Sequence, residues 1–94
     1  MEATSLKELK RAIKDKEKTI VVTDKKLVWL LKPLAKAKIS SNLNTGMATG
    51  ALALATGVQI TIIVTLGVVV VVSILKGYNV KLRKGDTEIV LEKK

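Results

Sequence analysis

Apolar residues at the start of the chain recur at the spacing of one helix face. Leu6, Leu9 and Ile13 lie three and four apart, while Lys7, Lys10, Arg11 and Lys14 cover the remaining surface. This pattern predicts a short amphipathic helix over residues 5–18. Ser5 and Glu8 have the S-x-x-E spacing of a capping box, which satisfies orphan N–H groups at a helix start. "TIVV", residues 19–22, is a β-branched run and reads as a short strand. Asp24 then offers an N-cap to a second helix. Leu27, Leu30, Leu31 and Leu34 form its apolar face with Val28 beside it, surrounded by Lys25, Lys26, Lys32, Lys36 and Lys38. Pro33 lacks an N–H and clashes with the preceding turn, so the helix should kink or restart there.

At the other end the period changes to two. Tyr78, Val80 and Leu82 alternate with Asn79, Lys81 and Arg83, and Ile89 and Leu91 alternate with Glu88 and Val90. Gly85-Asp86 between the two runs signals a β-hairpin. A lone hairpin is marginal in water. This one needs a partner, such as the "TIVV" strand, the amphipathic helices or a second copy of the chain.

The middle of the chain is uncharged. Residues 39–57, "ISSNLNTGMATGALALATG", carry Gly46 and Gly50 four apart, as are Ala51 and Ala55, and Ala53 and Gly57. Such small-x-x-x-small pairs let helices approach closely in lipid. Gly46, Gly50, Ala53, Gly57 and the later Gly67 are the expected packing positions of an oligomer. Residues 58–75, "VQITIIVTLGVVVVVSIL", are strongly apolar. As one helix they would extend about 27 Å at about 1.5 Å per residue, close to a hydrocarbon core of about 30 Å.

Charge sharpens this picture. The formal net charge is +9, from 17 Lys+Arg against 8 Asp+Glu. Eleven of the basic residues lie between Lys7 and Lys38 and six between Lys76 and Lys94, leaving 37 residues, Ile39 to Leu75, with no charge at all. The five consecutive valines favour a strand in water, but a sheet built from this block would expose apolar edges with no charged gatekeeper. In lipid a helix satisfies its own backbone, and valine and isoleucine face hydrocarbon well. The expected fold is therefore an α-helical membrane protein with a small β element. Residues 1–38 form basic amphipathic helices with a strand at 19–22. Residues 39–75 form a transmembrane helical hairpin or one long span, and residues 76–94 a basic β-hairpin. Because basic flanks stay on the cytoplasmic side, a hairpin would keep both termini at the cytoplasmic face of a bacterial inner membrane. Lys25, Lys26, Trp29, Lys32, Lys36, Lys38, Lys76 and Tyr78 are then the membrane-interface residues, with lysines snorkelling and aromatics at headgroup level.

The chain contains no cysteine and no histidine, which removes disulfides, thiolate nucleophiles, the commonest general base and the commonest metal ligand. The carboxylates sit among lysines, and no glycine motif ends in Gly-Lys-Ser/Thr to cradle phosphate. The expectation is a protein that is not an enzyme and carries no cofactor or metal. No secretory signal is visible in "MEATSLKELKRAIKDKEK". The expected partners are other copies of the chain and an anionic bilayer. Nucleic acid is the rival that the charge allows, without stacking aromatics or a known groove-binding module to support it.

A polar helix, "IVV", a second helix, a Gly/Ala/Val-rich middle and "YNVKL…EIVLEKK" together make a layout. It resembles a loose group of short uncharacterised bacterial membrane-associated proteins with a hydrophobic hairpin. The resemblance implies bacterial origin and a membrane-associated fold, and no established activity. In general design the plan is similar to holins. The function expected from all this is a small self-assembling membrane protein, pore-forming or permeabilising through an oligomer of its hydrophobic segments. The alternatives are a soluble self-assembling structural protein, a ring, shell or filament in which several chains pool their apolar segments, and a basic nucleic-acid-binding module.

Overall fold

The computed structural model describes residues 1–37, 46–85 and 87–94. Five α-helices and four strands share a single core. The strands are β1 (Glu2–Ala3), β2 (Thr19–Val22), β3 (Tyr78–Arg83) and β4 (Glu88–Lys93). The helices are α1 (Leu6–Lys14), α2 (Lys25–Leu31), α3 (Thr49–Thr56), α4 (Ile60–Leu66) and α5 (Val68–Gly77). A 3-10 helix over Lys32–Lys36 continues α2.

Local chemistry explains the first elements. The Ser5 hydroxyl accepts from the Glu8 N–H at 3.3 Å and starts α1. The Glu8 carboxylate accepts from the Thr4 N–H at 2.9 Å and the Thr4 hydroxyl at 3.0 Å, one residue before the usual partner of a capping box. α1 buries Leu9, Ala12 and Ile13. Its end is a Schellman motif: the Lys16 N–H donates to Ile13 O and the Glu17 N–H to Ala12 O, both at 3.1 Å. Lys16 takes the left-handed conformation at φ +54 that glycine ordinarily occupies there. Asp24 caps α2 by accepting from the Leu27 N–H at 3.1 Å. The α-helix ends at Leu31 and the chain tightens to 3-10 geometry around Pro33.

The sheet runs β1-β2-β4-β3, with β1 and β2 parallel across α1 and the other pairs antiparallel. The "TIVV" strand is thus the partner that the C-terminal hairpin needs. Ile20 pairs with Leu91 and Val22 with Ile89, and Val80 and Leu82 continue the same two rows on β3. This face packs into a core with the buried residues of the helices. On the other face Val90 is buried between its register partners Val21 and Lys81, and Lys81 reaches diagonally to Glu92 at 2.9 Å. At the hairpin, Lys84 and Gly85 both have positive φ. Asp86 lies outside the described residues.

The expected helical membrane fold is overturned. Among the described residues no single helix is long and apolar enough to cross a membrane. Residues 58–75 are not one rod: α4 and α5 together have the length and hydropathy of a span but are bent by 97° at Gly67. Gly67 sits at φ +95 and ψ 142, a conformation open to glycine and strained for L-residues. α5 has ten residues, about 15 Å of helix. The valine run did not become a strand either. Val70, Val71, Val72, Ile74 and Leu75 are buried and make α5 the central helix of the core. Its apolar run from Val70 to Leu75 reflects burial by protein. Within the expected first arm of the hairpin, the described helix is α3, eight residues from Thr49 to Thr56; Lys38 to Thr45 lie outside the described residues.

Candidate functional site

α2 separates its side chains cleanly. Leu27, Val28, Leu30 and Leu31 are buried, whereas Trp29 is 64% exposed. Lys25, Lys26 and Lys32 stand four before, three before and three after Trp29, so they flank the indole on one helical face. The 3-10 turn brings Lys36 to the same side. Trp29, Lys32, Pro33 and Lys36 line a groove of about 490 Å³ whose far wall is Gly57, Gln59 and Ile62. A second groove of about 440 Å³ adjoins it and shares Pro33, Lys36 and Gly57, with Leu54 on its rim. Leu54 is 91% exposed, which leaves almost all of its side chain in solvent. Ile60 opens α4 beside Gln59, and Val64 lies one turn further along the same exposed stripe. No carboxylate lines either groove.

The site is therefore a strip of two adjoining grooves that carries Trp29 and Leu54 at its two ends and Pro33, Lys32 and Lys36 between them, with Lys25 and Lys26 a turn before Trp29 on α2 and the exposed Ile60 following Gln59. Of the residues expected at a membrane interface, Trp29, Lys32 and Lys36 line the first groove, and Lys25 and Lys26 precede Trp29 on α2. Lys38 lies outside the described residues. Lys76 and Tyr78 are elsewhere, at the junction of α5 with β3. Tyr78 is 5% exposed, and its hydroxyl donates to the Glu17 carbonyl at 2.9 Å. Burial, and next the Glu17 charge, push its pKa upward.

The small residues expected to pack an oligomer do not share one helix face. Gly46 precedes α3 in a turn, Gly50 and Ala53 lie within α3, and Gly57 ends it at φ +76. Gly67 separates α4 from α5. An added Cβ at Gly50 would meet nothing within 4 Å. Among the described residues, no group of three or more His, Cys, Asp or Glu side chains could hold a metal ion. Leu54, Ile60 and Val64 escaped the sequence reading because an apolar residue in an apolar run carries no mark of whether it faces in or out.

No family model, curated protein or solved structure matches the chain, so no resemblance to any family is shown.

Proposed function

We propose that the chain is a peripheral binding module for anionic lipid surfaces, docking through the Trp29–Leu54–Ile60 strip. The observation that carries this reading is a solvent-facing indole and leucine on two adjoining grooves that share Lys36, with Lys32 also lining the indole's groove. Each lysine near an anionic bilayer contributes about 1 kcal/mol. Burying a leucine-sized side chain adds about 1.5–3 kcal/mol. Together they support reversible attachment with the chain lying on the surface.

Vesicle binding tests it. Trp29 is the only tryptophan, so its fluorescence reports directly on the strip. With vesicles containing phosphatidylglycerol the emission should move to the blue and the protein should sediment with the lipid. With pure phosphatidylcholine it should stay in solution. Leu54→Ser together with Trp29→Ala should abolish sedimentation. Equal binding to both vesicle types, or to neither, rejects the proposal.

A second reading rests on the exposed stripe of Ile60 and Val64 and on the exposed Val69. These residues support self-association, in which copies of the chain cover one another's apolar surface. Sizing without lipid separates the two readings. A concentration-dependent oligomer that Val64→Lys dissolves selects self-association, and a monomer that binds vesicles selects the lipid surface.

A further inference from the structure

A second basic cleft lies apart from the Trp29 strip and is built by different elements. Its volume is about 520 Å³, within the range of about 300–1,000 Å³ usual for small-molecule sites. Ile13 from α1, Val72 from α5 and the ring of Tyr78 supply apolar lining, and Ser73 and Gly77 complete the α5 wall. Three lysines converge on it: Lys16 after α1, Lys76 at the end of α5 and Lys93 at the end of β4. None of the three makes an ion pair with a described residue. No carboxylate lines the cleft. The nearby Glu92 is held by Lys81 at 2.9 Å.

The walls are tied together. The Tyr78 hydroxyl bonds to the Glu17 carbonyl, the Lys93 N–H to Lys18 O at 2.8 Å, and the Lys94 N–H to Gly77 O at 2.9 Å. Lys16 enters the cleft from the C′ position of the Schellman motif, at positive φ. Glycine would fit that backbone without strain. A lysine there gives up local stability and places an ammonium group at the cleft mouth. Violations of local preference of this kind concentrate at functional sites.

We infer that this cleft binds a single anionic amphiphile, a phosphate or carboxylate head on a short alkyl chain. The head sits among Lys16, Lys76, Lys93 and the Ser73 hydroxyl, and the tail lies on Ile13 and Val72. The apolar wall distinguishes it from a site for a bare inorganic anion, and the three lysines from a site for a neutral lipid.

The probes are octyl phosphate below its micellar concentration, inorganic phosphate and octanol, followed by calorimetry and by backbone amide NMR of the full chain. Octyl phosphate should bind one to one and shift the amides of Ser73, Lys76, Gly77 and Tyr78. Its affinity should exceed that of inorganic phosphate and of octanol by about tenfold or more, the factor one charge-assisted hydrogen bond supplies. Lys16→Gly should weaken octyl phosphate binding by about tenfold while raising the unfolding midpoint, because it relieves the left-handed lysine. Lys93→Gln should weaken binding similarly at unchanged stability. The inference fails if octyl phosphate binds no tighter than either control. It also fails if the shifted amides cluster around Trp29, or if both variants bind like the parent. Vesicle binding through Trp29 is read separately, so either result stands without the other.

Discussion

Gly67, Tyr78 and Glu8 show how single residues carry this structure. At φ +95 Gly67 has open space where a Cβ would go, so any side chain is penalised by backbone strain alone and not by a clash. Gly67→Ala should destabilise the fold by about 1–3 kcal/mol, measured by urea unfolding. The Tyr78 hydroxyl fixes β3 to the turn after α1, and Tyr78→Phe should cost about 1 kcal/mol. Because burial raises the Tyr78 pKa, the folded state holds its proton longer than the unfolded chain. That contribution is whole below about pH 10 and fades as the pH rises further. Tyr78 is the only tyrosine, so tyrosinate absorbance should rise late in the folded protein and at once when it unfolds. The Glu8 carboxylate behaves oppositely. Hydrogen bonds first from the Thr4 N–H and then from its hydroxyl lower its pKa. Its contribution is present above the ordinary carboxylate value near 4.5 and is lost as the pH falls through the folded value. Glu8→Gln should therefore flatten the acid limb of the stability curve, and an unchanged limb would show that the Thr4 contacts do not persist in solution.

At the scale of elements, the short helices divide each apolar run into an inner and an outer set. Ile63 is fully buried and its neighbour Val64 is exposed. Ile63→Ala should cost about 2–5 kcal/mol, whereas Val64→Ser should fall within about 0.5 kcal/mol of the parent. Equal losses at both positions would mean that α4 presents a different face. The same division explains what could be read in advance. The N-caps Ser5 and Asp24, the "TIVV" strand and the alternation from Tyr78 to Leu82 are local signals, and the elements form at those residues. The basic, tryptophan-bearing face of α2 was equally legible, because Leu27, Leu30 and Leu31 set the inward direction and leave Trp29 outward. The middle was misread for a physical reason. A helix surrounded by protein and a helix surrounded by lipid need the same side chains, so Val68 to Leu75 carry no label for either solvent. The decisive residue was one glycine whose backbone conformation turns the chain by 97°. The burial of Tyr78 has no local signal, because its partner Glu17 is 61 residues away.

At the scale of the whole molecule, charge sits on the surface and the inward faces of α3, α4 and α5 sit in the core. A net charge of +9 on so small a body creates a field that draws it to polyanions. Attachment to anionic vesicles should therefore weaken steeply between low salt and about 0.5 M, where screening confines each charge to a few ångströms. The apolar strip should leave a residue of binding that salt does not remove. Complete release by salt would assign the interaction to the lysines alone.

The place of β4 in the sheet has a consequence for how the molecule comes together. Glu88–Lys93 lies between β2 and β3, pairing with β3 along its whole length and with β2 from Ile89 to Glu92, although β2 ends at Val22. Until that late segment docks, β2 has only the two-residue β1 beside it, and the apolar helices lack the sheet face that seals them. Closure over so long a loop slows folding relative to a bundle of the same size. During that interval the valine helix is exposed to its neighbours. A chain shortened before Glu88 should remain in that state, captured by chaperones or aggregated, and the final six-residue strand thus acts as the latch on the whole assembly.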